Sequence, residues 1–231
     1  MKRNNEERMM GGHQPQKTEE APNLGNPLDF VTPTEMVELP SKGRYPAGHP
    51  LCGQDMLEIR YMTAKDEDLL TNRSLLKKGL AIDRIIDNLI KDDSIRAESL
   101  YVGDRNAILI YARASAYGSI YKTKVTCPSC QTVSKQNFDL QEHSTYHGDE
   151  FEDFDIEMTD KMTFKTMLPL SKIVAEIRPL IGADELAIVK KNKGNKINDN
   201  LVTSQMRRFC VSFNGYDNRK TIDQVIDNMA A

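Results

Sequence analysis

The chain has little of what identifies secreted, membrane-spanning or catalytic proteins. It has four cysteines in 231 residues, too few for a disulfide framework in a chain of this length. No apolar run approaches the roughly 20 residues of a membrane-spanning helix. The N-terminal segment lacks the apolar stretch of a secretory signal. We therefore expect a protein made in a cytoplasm, with reduced thiols and no membrane partner.

The common catalytic motifs are also missing. The sequence has no phosphate-binding glycine loop, no Gly-x-Ser-x-Gly turn and no His-Glu-x-x-His motif. Its net charge of -3 produces no strong field towards nucleic acid or an anionic membrane. These absences favour a protein that is not an enzyme and that has no nucleic acid partner.

What the chain does have is a pattern that occurs twice. Leu-Pro and Ser-Lys precede Glu-Ile-Arg, which is followed after five residues by Asp-Glu and later by Ile-Asp-x-x-Ile-Asp-Asn. The copies occupy residues 39–42, 58–67 and 82–88, and then residues 168–172, 176–185 and 222–228. Three matches in the same order indicate an internal duplication, which is typical of a binding or assembly module.

The duplication predicts the domain organisation. We expect an α+β fold of two related units, each a strand pair followed by helices, with a β-hairpin Cys-x-x-Cys knuckle between them. Only 39% of the residues are hydrophobic, which fits folded units with a polar tail. The predicted segments are a flexible arm at 1–33, unit A at 34–118, the hairpin knuckle with an acidic strand at 119–160, and unit B at 161–231.

Residue patterns place elements within these segments. Strands are predicted at residues 37–39, 56–62, 119–126, 133–140, 162–167 and 173–178. Helices are predicted at residues 66–72, 82–91, 104–116, 183–190 and 201–213, and from Thr221 onward. Ile82 and four further apolar residues up to Ile90 form a helical stripe that we expect in the core. Asp104 is expected to cap its helix, and Cys210 is expected to lie in the core.

The clearest candidate for chemistry is a cysteine and histidine constellation. Cys127 and Cys130 are separated by two residues, and His143 and His147 follow twelve residues later with three between them. This spacing matches a Cys2His2 zinc site, because a Cys-x-x-Cys turn directs two thiolates to one point and two imidazoles complete a tetrahedron. We predict that these four residues bind a structural Zn²⁺.

Other interpretations of these residues remain open. The thiols are also compatible with packing as small hydrophobes, with a metal completed by other ligands, or with a disulfide. Redox catalysis is disfavoured because no thioredoxin-like βαβ context surrounds the pair. The repeated carboxylates, Asp66-Glu67 and Asp184-Glu185, resemble an acid/base pair, but a place in the first helical turn explains them better.

Five stretches of the sequence resemble one bacteriophage family. They are VELPSKG at 37–43, EIRYMTAKDEDLL at 58–70, GDRNAILIYARASAYGSIY at 103–121, CPSC at 127–130 and FDL at 138–140. Together they are similar to the baseplate hub and hub-assembly proteins of contractile-tailed phages of the T-even type. The resemblance implies a non-enzymatic protein of the virion tail baseplate, assembled in the host cytoplasm. It also implies a Cys-x-x-Cys protrusion after the long helix.

The resulting hypothesis is a structural subunit of the baseplate hub, or a factor in its assembly, that acts through protein-protein contacts. Its expected partners are other baseplate and hub proteins, the tape-measure protein, and further copies of itself in an oligomer or ring. One alternative is a zinc-bearing nucleic-acid-binding protein, since residues 190–220 contain eight basic and two acidic side chains. Another is a tail-assembly chaperone that is absent from the mature particle.

Overall fold

Strand pairs followed by helices organise the chain. The computed structural model describes residues 32–142, 155–192 and 201–229. The strands are β1 (Thr34–Glu38), β2 (Met56–Arg60), β3 (Ile120–Thr126), β4 (Val133–Asp139), β5 (Ile156–Met158), β6 (Phe164–Met167), β7 (Val174–Ile177) and β8 (Cys210–Phe213). The helices are α1 (Ala64–Thr71), α2 (Arg73–Lys78), α3 (Ala81–Leu89), α4 (Val102–Tyr117), α5 (Gly182–Asn192), α6 (Leu201–Phe209) and α7 (Arg219–Asn228). The predicted arm at 1–33 lies almost wholly outside the described residues.

Three antiparallel sheets confirm the α+β class. β1 pairs with β2, β3 pairs with β4, and the third sheet has the order β5-β6-β7-β8. The acidic strand of the sequence prediction is β5, which forms one edge of this third sheet. None of the helices in the described part of the chain has the length and apolar character that a membrane crossing requires.

Unit A holds the larger hydrophobic core. Side chains from β1, β2, α3 and α4 meet there, and Leu39, Ile86 and Ile108 are fully buried. The stripe on α3 explains this packing, because residues three and four apart share one face of a helix. Ile82 departs from the prediction: it is 39% exposed, since it lies beside the stripe and not on it.

Unit B has a smaller core between its sheet and α7. Ala175, Cys210, Phe213, Ile222 and Ile226 are its buried members. Cys210 is therefore in the core as predicted, but its element was predicted wrongly. Helix α6 ends at Phe209, and residues 210–213 form β8 against β7, because tertiary pairing overrides a weak helical preference.

The Glu-Ile-Arg and Asp-Glu repeat produces the same local structure twice. In unit A, Arg60 donates two hydrogen bonds to Asp66, of 2.7 and 2.9 Å. In unit B, Arg178 donates two to Asp184, of 2.7 and 3.0 Å. Each aspartate also accepts a bond from the backbone N–H three residues earlier. The motif therefore ties the end of a strand to the first turn of the next helix.

The Leu-Pro and Ser-Lys turn is repeated as well. Lys42 and Lys172 both have a left-handed backbone, with φ of 52° and 56°. The N–H of Lys42 donates to the Leu39 carbonyl at 2.9 Å, and that of Lys172 donates to the Leu168 carbonyl at 3.0 Å. The first strand of each unit thus ends in a turn closed at a left-handed lysine, by a bond to the third residue back in unit A and to the fourth residue back in unit B.

The third sequence match lies in helices that occupy different positions in the two units. In unit A, α3 is followed by Ile90, which bridges Ile59 of the Glu-Ile-Arg motif. In unit B, the corresponding bridge to Ile177 comes from Cys210, which follows α6. The helix equivalent to α3 is therefore α6, whereas the second Ile-Asp-x-x-Ile-Asp-Asn lies in α7.

Contacts to the two motif aspartates support this new alignment. Asn88, two residues before the Ile90 bridge, donates to Asp66 at 3.3 Å. Arg208, two residues before Cys210, has its guanidinium 4.0 Å from Asp184. By the same order of elements, α4 of unit A corresponds to α7 of unit B, because each follows the bridging strand.

The two units meet where α4 and α5 begin. Tyr101 forms a β-bridge with Ile181. Beneath it, the buried Arg105 forms ion pairs with Asp83 of α3 and Glu185 of α5. Asp104 was predicted as the N-cap of α4, but the helix begins at Val102, so Asp104 is its third residue. The predicted segment boundaries at 33, 118 and 160 remain predictions.

Candidate protein-interaction site

The β3–β4 hairpin is exposed along almost its whole length. Seven residues of each strand are paired, from Ile120 with Asp139 at the base to Thr126 with Val133 near the tip. No residue of either strand is buried. Because no strand residue is buried, both faces of the hairpin are available to a partner. A two-stranded hairpin alone is marginally stable in water.

The two faces of the hairpin differ in charge. Directly opposite residues of an antiparallel pair project to the same face. One face is uncharged, and its residues are Tyr121, Thr123, Val125, Ser134, Gln136 and Phe138. The other face carries three lysines and an aspartate: Lys122, Lys124, Lys135 and Asp139. The uncharged face, with Phe138 49% exposed, is the surface that burial in a complex would favour.

Contacts at the base fix the hairpin to α4. The Arg113 guanidinium lies 4.9 Å from the centre of the Tyr117 ring and 5.8 Å from that of Tyr121. Arg113 also donates to the Gly118 carbonyl at 3.1 Å. The Leu140 N–H donates to the Ser119 carbonyl at 2.9 Å. These contacts give the protrusion a defined direction, which a docking surface requires.

The tip of the hairpin is a tight turn that brings two thiols together. The Cys127 N–H donates to the Thr132 carbonyl at 3.0 Å, and the Gln131 N–H donates to the Cys127 carbonyl at 2.9 Å. Gln131 has a φ of 57°, the left-handed conformation that glycine adopts more easily. Cys127 and Cys130 are both free thiols. The structure therefore shows no disulfide between Cys127 and Cys130.

The surroundings of Cys130 favour its thiolate. Hydrogen bonds from the Thr132 hydroxyl, the Thr132 backbone and the Cys127 thiol lower the pKa of Cys130 to about 7. The Thr132 hydroxyl oxygen lies 3.3 Å from the sulfur. Because Cys130 is exposed, it does not pack as a buried hydrophobe. A thiolate is the form that binds metals or reacts as a nucleophile.

The predicted histidine ligands lie outside the described residues. The structure therefore brings Cys127 and Cys130 together but gives no position for His143 or His147. Across residues 32–142, 155–192 and 201–229, no three histidine, cysteine or carboxylate side chains form a group that is able to hold a metal. The four-ligand zinc site stays a prediction.

The repeated carboxylates have structural roles. Asp66 and Thr63 form a capping box at the start of α1, which confirms the predicted place of Asp66 in the first helical turn. Burial raises the pKa of Asp66, but hydrogen bonds from Arg60 and Thr63 outweigh it and hold that pKa well below its usual range. Glu67 accepts a hydrogen bond from Tyr117, and Glu185 pairs with Arg105. These carboxylates are thus engaged in holding helices in place.

The insert in unit A is a feature that the sequence interpretation treated only as a loop. Residues 43–55 separate Lys42 from β2, and their side chains Tyr45 and Leu51 lie in the core. The Tyr45 ring stacks between His49 and Tyr101 at 4.2 Å from each, and its hydroxyl donates to Asp104 at 2.7 Å. The insert therefore closes one side of unit A.

Unit B has no insert at the same place, and a groove is open there. The groove has a volume of about 340 Å³, and its lining includes Leu168, Ile173, Thr221 and Val225. Thr221 is the third residue of α7, as Asp104 is the third residue of α4. The surface that Tyr45 and its neighbours cover in unit A is thus exposed in unit B.

A family comparison assigns the chain. The family model described as "T4 bacteriophage base plate protein" matches residues 32–229. The chain belongs to this family. The match spans both units and the hairpin between them, so it covers the whole described structure. Membership indicates a structural or assembly role in the phage baseplate, hence contacts with other tail proteins and a place in the virion tail. No match was found among curated proteins or solved structures.

Proposed function

We propose that this protein is a non-enzymatic structural subunit of the baseplate hub and that it acts through protein-protein contacts. Family membership supports the baseplate. The anchored hairpin supports the mode of action, because it presents an uncharged surface on a rigid base. Its partners are other hub and baseplate proteins and the tape-measure protein.

The single observation that carries this proposal is the asymmetry between the hairpin faces. An element that only closes a loop has no need to segregate its charges. Here the three lysines lie on one face, whereas Tyr121 and Phe138 are a cross-strand aromatic pair on the other. Aromatic residues are enriched at the cores of interfaces and lysine is depleted there. The uncharged face is therefore the side that contacts the partner.

A matched pair of substitutions tests which face binds. Phe138 and Ile120 are both apolar, are 49% and 47% exposed, and lie on opposite faces at the base. Tagged chains carrying Phe138→Ser or Ile120→Ser are expressed during infection, and the co-purified tail proteins are measured by quantitative mass spectrometry. We expect Phe138→Ser to lower recovery of hub proteins about tenfold, equivalent to about 1.4 kcal/mol of binding.

Ile120→Ser is the control, and it is expected to bind like the unsubstituted chain. Thermal unfolding of both purified variants verifies that each remains folded. Equal recovery of hub proteins with both variants would contradict the proposal that the uncharged face contacts the partner. Failure of the unsubstituted chain to recover any hub protein would contradict the hub proposal itself.

A further inference from the structure

The cysteine turn at the hairpin tip provides half of a tetrahedral metal site. Structural zinc sites have four protein ligands. The turn places Cys127 and Cys130, both free thiols, at the same end of the hairpin, because the Gln131 N–H donates to the Cys127 carbonyl at 2.9 Å. Backbone bonds between Cys127 and Thr132 close the turn without a metal. Two ligand positions remain to be supplied from elsewhere.

The length of the hairpin limits where those ligands come from. Asp139 is six strand positions from Val133, which is about 20 Å at about 3.3 Å per residue. Glu142 lies at the base, because its N–H donates to the Asp139 carbonyl at 3.3 Å. The described residues that flank the hairpin therefore lie at its base, away from the tip. No third histidine, cysteine or carboxylate side chain of the described residues joins the two thiols in a group able to hold a metal.

A second tip meets no such limit. The tip is exposed: Val133 beside it is 59% exposed and Cys130 is also exposed. Two identical turns related by a two-fold axis bring four sulfurs to one point, and such self-complementary contacts are the commonest kind in homo-oligomers. We propose that two copies of this chain bind one Zn²⁺ between their hairpin tips, each copy supplying Cys127 and Cys130.

The charges near the tip fit this arrangement. Zinc bound by four thiolates is a centre with a net charge of about -2. Lys124 and Lys135 are directly opposite each other near the tip, and like charges in that position are unfavourable in a free hairpin. An anionic centre beside them offsets this repulsion. The proposal concerns the chain itself and does not rest on the baseplate role.

The test measures zinc content and oligomeric state of the full-length chain together. The protein is purified with Zn²⁺ present, analysed for metal, and sized by light scattering before and after chelation. We expect about 0.5 zinc per chain in a dimer that separates into monomers when the metal is removed. Cobalt substitution adds a spectroscopic readout, because four thiolates and two thiolates give different absorption.

Variants separate the possible ligand sets. Cys127→Ser and Cys130→Ser should each lose the metal and the dimer, whereas Cys52→Ser, at another exposed thiol, should keep both. The double variant His143→Ala/His147→Ala should also keep both. One zinc per monomer that the histidine substitutions abolish would overturn the proposal. So would the absence of bound zinc, or a dimer that persists after complete chelation.

Discussion

Unit A and unit B share a strand, a turn, a second strand and a capped helix, but they bury that pattern to different extents. Leu39 after the first strand of unit A is fully buried, whereas its counterpart Leu168 lines an open groove. The difference comes from the insert, which adds Tyr45 and Leu51 to the core of unit A. A repeated motif thus specifies local geometry, while the segments between its parts decide what is covered.

The same difference makes unit A the main source of stability, whereas unit B exposes apolar side chains that a partner is able to contact. Unit A has the larger core and supports the hairpin through α4. Among the described residues, unit B contributes fewer buried side chains and leaves apolar ones at the surface, with Leu170 80% exposed. Because unit A has the larger core, we expect it to contribute most of the folding free energy. The following substitutions compare equivalent positions.

The largest contrast is expected at the two leucines. Leu39→Ala should lower the free energy of unfolding by about 3 kcal/mol, because a fully buried side chain leaves a cavity. Leu168→Ala should lower it by about 1 kcal/mol, because its surroundings are already open to water. Urea unfolding of both variants measures the difference. Equal losses would show that the groove in unit B is closed in solution.

A smaller contrast is expected at the motif aspartate of unit A. Asp66→Asn should cost about 2 kcal/mol at neutral pH, because a buried ionic hydrogen-bond acceptor for Arg60 is lost. The folded-state pKa of Asp66 is depressed, so its contribution is fully present above the unfolded value near pH 4. That contribution is lost as the pH falls towards the folded pKa.

Unfolding measured between pH 7 and pH 3 tests this linkage. The unsubstituted chain should lose more stability over that range than Asp66→Asn does. At neutral pH, Asp184→Asn provides the comparison in unit B, where the same hydrogen bonds recur. If Asp66→Asn showed the same pH dependence of the free energy of unfolding as the unsubstituted chain, Asp66 would not be a source of the acid sensitivity.

The smallest effects are expected at two helix caps. The Asn72 side chain accepts from the Ser74 and Leu75 N–H groups at the start of α2. The Asn218 side chain accepts from the Thr221 N–H at the start of α7. Alanine at either position should cost about 1 kcal/mol, since exposed caps depend little on the core beneath them. A much larger loss at Asn72 alone would mean that α2 is coupled to the core of unit A.

Local rules predicted the elements whose signals lie close together in the sequence. Asp66 and Glu67 were predicted in the first turn of a helix and lie in the first turn of α1, and the strand predicted at residues 56–62 is β2. The hairpin was predicted to within one residue at each end. In each case the stabilising contacts are formed by neighbours in the chain or by a turn of few residues.

Long-range contacts were not readable from the sequence. Tyr45 is buried through Asp104, 59 positions away, and nothing in the proline- and glycine-containing loop indicates that partner. Arg105 is held by Glu185 across the unit junction. Residues 210–213 continue an amphipathic pattern, so only their pairing with β7 reveals a strand. The third repeat match failed for the same reason, because its two helices share residues but not neighbours.

Quantitative mass spectrometry of purified phage tails tests the central claim, that this chain is a structural subunit of the baseplate. We expect peptides of the chain in purified tails, at a constant ratio to other baseplate proteins through successive purification steps. Infected-cell lysate serves as the control for expression. A chain that is abundant in the lysate but absent from purified tails would contradict the account and identify an assembly factor instead.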